Sequence, residues 1–109
     1  MSYDLNELAK RVATTLKRQP LTSLAALSRD LRLDRHTVTR ALRAHLGKSF
    51  REVQDEVLVD FVRTEIARCP TMSIKEIASS VGYNHSRSMA RRIRRLTGHS
   101  PTEHRKAES

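Results

Sequence analysis

A chain of 109 residues carries 21 Lys and Arg against 12 Asp and Glu, for a formal net charge of +9. That length allows one small domain, or two small lobes on a linker, and excludes a separate sensing domain. The basic balance calls for an acidic partner, and aromatics at 4% supply few stacking platforms for single-stranded nucleic acid.

The first predicted element is a helix from about Asp4 to Lys17. Asp4 caps it, with Glu7 at N3 of a capping-box-like pair, and Tyr3 and Leu8 hold the places of a hydrophobic staple. Leu5, Leu8, Val12 and Leu16 form its buried stripe, and Pro20 ends it. This helix reads as packing. A second helix runs from about Leu24 to Leu31 behind Ser23 or Thr22 as cap. A third runs from about Arg35 to Leu46 and stops at Gly47, which suits a left-handed C′ position. Val38, Leu42 and Leu46 make its apolar stripe, with His36, Arg40 and Arg43 opposite.

Ser49 and Glu52 form a capping box that opens a connector helix reaching about Arg68, before Pro70. Phe50, Val53, Val57 and Phe61 mark its buried face, widened by Leu58, Val62 and Ile66. About twenty residues make a helix roughly 30 Å long, close to the ~34 Å of one turn of B-DNA. The connector is therefore expected to act as a strut. Ser73 and Glu76 form a further capping box and open a fifth helix to about Val81, and Gly82 turns the chain into a sixth. On a helix from Asn84 to Thr97, Met89, Ile93 and Leu96 share one stripe. Arg87, Arg91 and Arg94 fall opposite, with Arg92 and Arg95 on the flanks. A merely solvated face mixes signs, and no acid lies in this stretch. Ser100 and Glu103, with Pro101 at N1, open a last short helix. No segment alternates as a strand does.

The chain also repeats itself. Ser23, Leu24, Leu27 and Leu31 match Ser73, Ile74, Ile77 and Val81 at an offset of 50. After one extra residue, Val38, Arg40, Leu42, Arg43, Gly47 and Ser49 match Met89, Arg91, Ile93, Arg94, Gly98 and Ser100. Charge follows the repeat. Residues 29–48 carry six cations and two acids, residues 85–106 seven and one, and the connector 49–68 three and five. Each copy is a short helix, a tight turn and a second helix with a cationic outer face. That is a helix-turn-helix, whose second helix enters a DNA major groove. The expected fold is all-α, with about seven helices. Two helix-turn-helix lobes (1–48 and 69–109) are joined by the connector helix (49–68).

Base edges are met chiefly by the first half of a recognition helix. On the outer faces these residues are Arg35, His36, Thr39 and Arg40 in the first copy, and Ser86, Arg87, Ala90 and Arg91 in the second. Arg40, Arg87 and Arg91 can fork onto guanine O6 and N7, and Thr39 and Ala90 can meet a thymine methyl. His36 can donate or accept. Arg43, Arg94 and Arg95 lie farther along and suit phosphate, as does Lys48. Ser23 and Ser73 read first as helix caps. Arg40 and Arg91 have a structural alternative, bracing Glu52 or Glu103 at the next helix start.

At SIKEIASSVGY, RRIRRLTGHSPTEHR and LRAHLGKSF the chain resembles the DNA-binding domain of AraC/XylS-type transcription regulators, over roughly Leu5 to Arg105. The resemblance implies base contacts at the matching outer-face residues just named, and an activator that recruits RNA polymerase. Relatives often attach an effector or dimerisation domain, so the chain is a stand-alone regulator or a domain of a longer one. Three positions depart from the pattern. Met89 and Ile93 replace aromatics, and Arg32 stands where the first turn has the counterpart of Gly82.

Other chemistry finds little support. The single Cys69 excludes an internal disulfide and reads as a buried or half-buried thiol. The five histidines lack metal-ligand spacing and there is no Cys-x-x-Cys, so no metal or other cofactor is expected. No Gly-rich phosphate loop appears, and no nucleophile has a base and an orienting group, so the chain reads as a non-enzyme. No apolar run approaches the roughly 20 residues of a membrane span, and MSYDLNELAKRV lacks the apolar core of a signal peptide. The expectation is a cytoplasmic monomer on double-stranded DNA, with no membrane partner. A cationic helix bound to a membrane surface would leave the first copy unexplained. The alternative function is an architectural DNA-binding protein without sequence preference.

Overall fold

The computed structural model describes residues 4–108. Among them are seven helices and no strand: α1 (Leu5–Arg18), α2 (Leu24–Asp30), α3 (Arg35–Leu46), α4 (Phe50–Arg68), α5 (Ile74–Val81), α6 (Ser86–Thr97) and α7 (Pro101–Glu108). The chain is all-α, as its periodicity predicts. It divides into two compact units, Met1–Val57 and Leu58–Ser109. No helix of the described residues is long and apolar enough to cross a membrane.

In the first unit the Asp4 carboxylate accepts the N–H groups of Asn6 and Glu7 at 3.1 and 3.3 Å, satisfying two orphan donors of α1. The staple partner Tyr3 lies outside the described residues. Leu8, Ala9, Val12 and Leu16 are buried, whereas Leu5 is half-buried. Ala9, Val12 and Leu16 pack with Leu27, Val38, Leu42 and Val53 into one core. Full burial of one such Leu or Val is worth about 1.5–3 kcal/mol. Gln54 carries a role that periodicity does not reveal. It is buried, and its amide donates to the carbonyls of Pro20 at 2.9 Å and Thr22 at 2.7 Å. The α1–α2 loop is thereby tied to α4, and two backbone acceptors are satisfied.

In the second unit Leu58, Val62 and Ile66 of α4 are buried, as are Ile77, Val81, Met89, Ile93 and Pro101. Met89 and Ile93, which replace aromatics, are thus both core residues. The Arg105 guanidinium donates to the Met72 carbonyl and ties α7 to the start of α5. Cys69 is free and half-buried.

Three expectations need correction. The buried face of α4 is not one stripe with a widening. Val53 is its deep apolar position in the first unit, while Leu58, Val62 and Ile66 are deep in the second. Phe50, Val57 and Phe61 are only half-buried. Each set is buried by the unit that holds it, so one continuous stripe does not describe the burial. Second, Leu46 and Leu96 leave the core stripe. They are 43% and 36% exposed, in the last turns of α3 and α6, where the core no longer covers the helix. Third, α6 starts at Ser86 rather than Asn84, because His85 is extended (φ −134°, ψ 128°) and serves as the cap position.

The two helix-turn-helix turns are built alike. Leu33 N–H donates to Ser28 O at 2.8 Å and Arg32 N–H to Arg29 O at 3.1 Å. Tyr83 N–H donates to Ala78 O at 2.9 Å and Gly82 N–H to Ser79 O at 3.1 Å. Both pairs are the Schellman closure of a helix end. The residue at the bend has positive φ in each, +118° at Gly82 and +56° at Arg32. Glycine reaches that region without strain, whereas an arginine there pays a steric penalty on the order of 1–2 kcal/mol.

Candidate nucleic-acid interface

Within each unit the recognition helix turns its apolar stripe inward, which leaves the opposite face to solvent. On α3 the stripe is Val38, Ala41 and Leu42, and Arg35, His36, Thr39, Arg40 and Arg43 are exposed. On α6 Met89 and Ile93 are buried, and Arg87, Arg91, Arg94 and Arg95 are exposed. Ser86 and Ala90 are half-buried, so they border the arginine row rather than stand on its crest. The arginines of both helices lie on the side that helical periodicity predicts, while Ser86 and Ala90 do not stand fully on the outer face.

The bracing alternative for Arg40 and Arg91 finds no support in the geometry. Among the described residues neither makes an ion pair or a hydrogen bond through its side chain. Glu52 and Glu103 are engaged elsewhere. Each closes a capping box, accepting the N–H of Ser49 at 3.2 Å and of Ser100 at 3.1 Å. Those backbone bonds are the main cause that holds both carboxyls below the ordinary glutamate range, and the charges of Arg43 and Arg94 add to the effect. The Ser49 and Ser100 hydroxyls accept in return the N–H groups of Glu52 and Glu103.

Ser23 and Ser73 are caps, each hydroxyl accepting a first-turn N–H at 3.0 Å. Lys48 is half-buried and its ammonium sits 2.7 Å from the Glu56 carboxylate. Such a surface pair is worth at most about 1 kcal/mol, so Lys48 can exchange Glu56 for another anion.

The entrances to the two recognition helices differ. Asp34 caps α3, its carboxylate accepting the His36 N–H at 2.6 Å. His85 at the same place on α6 makes no side-chain cap bond. In front of α6 lies a cleft of about 580 Å³, lined among others by Lys75, Ser79, Tyr83, His85, Arg87 and Arg91. Lys75, Tyr83 and His85 were not marked by periodicity. The available signal was charge placement, since Lys75 stands in the first turn of α5, where the helix dipole disfavours a cation.

Residues 27–107 match a helix-turn-helix domain family. The chain belongs to the AraC-type helix-turn-helix family. No curated protein matches this AraC-type chain, but solved structures do. A DNA-binding transcriptional dual regulator from Escherichia coli K-12 shares its fold with a TM-score of 0.77 at 22% identity, over 93% of this chain and 91% of that one. The C-terminal domain of AraT, a response regulator from Geobacillus stearothermophilus, gives 0.82 at 19%, over 96% and 88%. The transcriptional regulator CdpR from Pseudomonas aeruginosa gives 0.73 at 29%, over 91% of this chain and 31% of that one. AraC-type membership carries a function class, DNA-binding transcription regulation, which is not an enzymatic one.

Proposed function

We propose that this AraC-type chain is a sequence-specific regulator of transcription that binds double-stranded DNA as a monomer. In this reading α3 and α6 enter successive major grooves of one asymmetric site, in two contacted segments about 10 base pairs apart. Arg35, His36, Thr39 and Arg40 read one segment; Ser86, Arg87, Ala90 and Arg91 read the other. Arg43, Lys48, Arg94 and Arg95 hold phosphates. The observation that carries the reading is the exposed, acid-free arginine row of α6, repeated in shorter form on α3. Guanidinium forks match guanine edges and phosphate oxygens. The family resemblance adds activation through RNA polymerase, in the cytoplasm.

Selection of bound duplexes from a random pool, with sedimentation of the resulting complex, tests this. The expected outcome is an asymmetric site and a 1:1 complex. Arg94→Ala and Arg95→Ala should weaken binding on all sequences alike and lower the salt slope by about one for each lost phosphate. A strict palindrome with an obligate 2:1 complex would overturn the monomer. Equal binding to every duplex would make the protein an architectural one.

A further inference from the structure

We infer that the second unit seats a DNA backbone phosphate in the cleft in front of α6, and that the first unit refuses one at the corresponding place. The inference rests on the DNA-binding reading above. Lys75, His85, Arg87 and Arg91 line the cleft, and no carboxylate does. Its volume of about 580 Å³ is that of roughly twenty waters at ~30 Å³ each, enough for a phosphodiester and a flanking sugar. Two of its cations stand against the local field. Lys75 lies in the first turn of α5 and Arg87 in the first turn of α6, the positive ends of the helix dipoles, where acids stabilise and cations cost. Folding gains nothing from either charge, and an anion between them relieves both.

The repeat provides an internal control. Ala25 stands at the place of Lys75, Arg29 at that of Ser79, Leu33 at that of Tyr83 and Asp34 at that of His85. The Asp34 carboxylate is already bonded to the first turn of α3. It satisfies the donor that a phosphate would use, and it repels the phosphate. The second unit therefore grips a phosphate at the entrance of its recognition helix as well as through Arg94 and Arg95, while the first holds phosphates only through Arg43 and Lys48.

His85→Asp tests the seat, because it gives α6 the cap that Asp34 gives α3. An added cap holds or raises the melting temperature, while the new carboxylate blocks the anion. Affinity for a duplex selected by the wild-type protein is expected to fall about tenfold, with the salt slope reduced by about one. Misfolding would lower stability and binding together, so opposite movement is specific to the seat. Lys75→Gln should lower affinity and slope in the same way. Replacing single phosphates of the duplex by neutral methylphosphonates should reveal one position that costs the wild type about tenfold and costs Lys75→Gln no more. Wild-type affinity and slope in both variants would overturn the seat and leave the DNA-binding reading standing. Failure of the wild-type protein to bind any selected duplex would remove that reading and the seat with it.

Discussion

The two units solve one problem with different residues. Both bend the chain between a short helix and a recognition helix through the same pair of backbone bonds. The second places glycine at the bend and leaves its recognition helix without a side-chain cap. The first places Arg32 at the bend and a carboxylate at the cap. The first unit thus spends stability at the turn and recovers some at the cap, and the second does the reverse. Strain and unmet caps concentrate where a protein meets its ligand. The comparison teaches that a repeated backbone need not repeat its contacts: the pair Asp34 and His85 sets how each entrance receives an anion.

The largest effects should show whether the units are equivalent in their cores. Leu42→Ala and Ile93→Ala empty matching positions that are 0% and 1% exposed. Each is expected to cost about 2–5 kcal/mol. Hydrogen exchange should show protection lost first in the unit that carries the change. Equal loss in both units would mean that they open as one.

Arg40→Ala and Arg91→Ala probe the surfaces. Neither residue is in the core, so melting temperatures should stay near the wild-type value. Each loss of an arginine–guanine fork should cost about 1–3 kcal/mol of discrimination, confined to the segment under its own helix. Base-by-base binding profiles measure this. A uniform loss of binding with a large drop in melting temperature would restore the bracing role.

The turns come next. Gly82→Ala forces a Cβ into φ +118° and should destabilise by about 1–3 kcal/mol. Arg32→Gly relieves the strain at φ +56° but frees the unfolded chain, so a gain of up to about 1 kcal/mol is expected. Urea midpoints of the two variants should therefore move in opposite directions. Movement in the same direction would show that the two bends are not equivalent.

The smallest effect concerns pH and should be shared by both units. Glu52 and Glu103 have carboxyls held below the ordinary glutamate range, chiefly by the N–H groups of Ser49 and Ser100. A depressed carboxyl stabilises the fold fully above its unfolded value, and that contribution is lost as pH falls through the folded value. Glu52→Gln and Glu103→Gln should each flatten the acid limb of the stability–pH curve below the ordinary glutamate range. Their effects on DNA preference should be nil. An acid limb unchanged in either variant would show that its box adds nothing to stability.

Much of this was legible in order along the chain. Helix starts were written in Ser49, Ser73 and Ser100 with an acid three residues on, since a hydroxyl and a carboxylate at that spacing satisfy each other's N–H groups. Outer faces were written in the arginine spacing. The reach of the core was not, and Leu46 and Leu96 show why. A 3.6-residue period gives the direction of a side chain, but its burial depends on whether another element extends far enough to cover it. Gln54 shows the same limit for polar residues, because its partners at Pro20 and Thr22 lie more than thirty residues away in the chain.

By itself, then, the sequence determined the helices, their caps, the doubled helix-turn-helix and the cationic face of each recognition helix. These are local matters, decided by bonds and periodicities within a few residues. Tertiary structure alone decided which residues of α4 are buried in each unit and that, among the described residues, the glutamates of the capping boxes do not pair with Arg40 and Arg91. It also brought Lys75, Tyr83 and His85 to one cleft. Those outcomes depend on which segments pack side by side within a unit, and contacts between distant residues carry no period that a linear pattern could express.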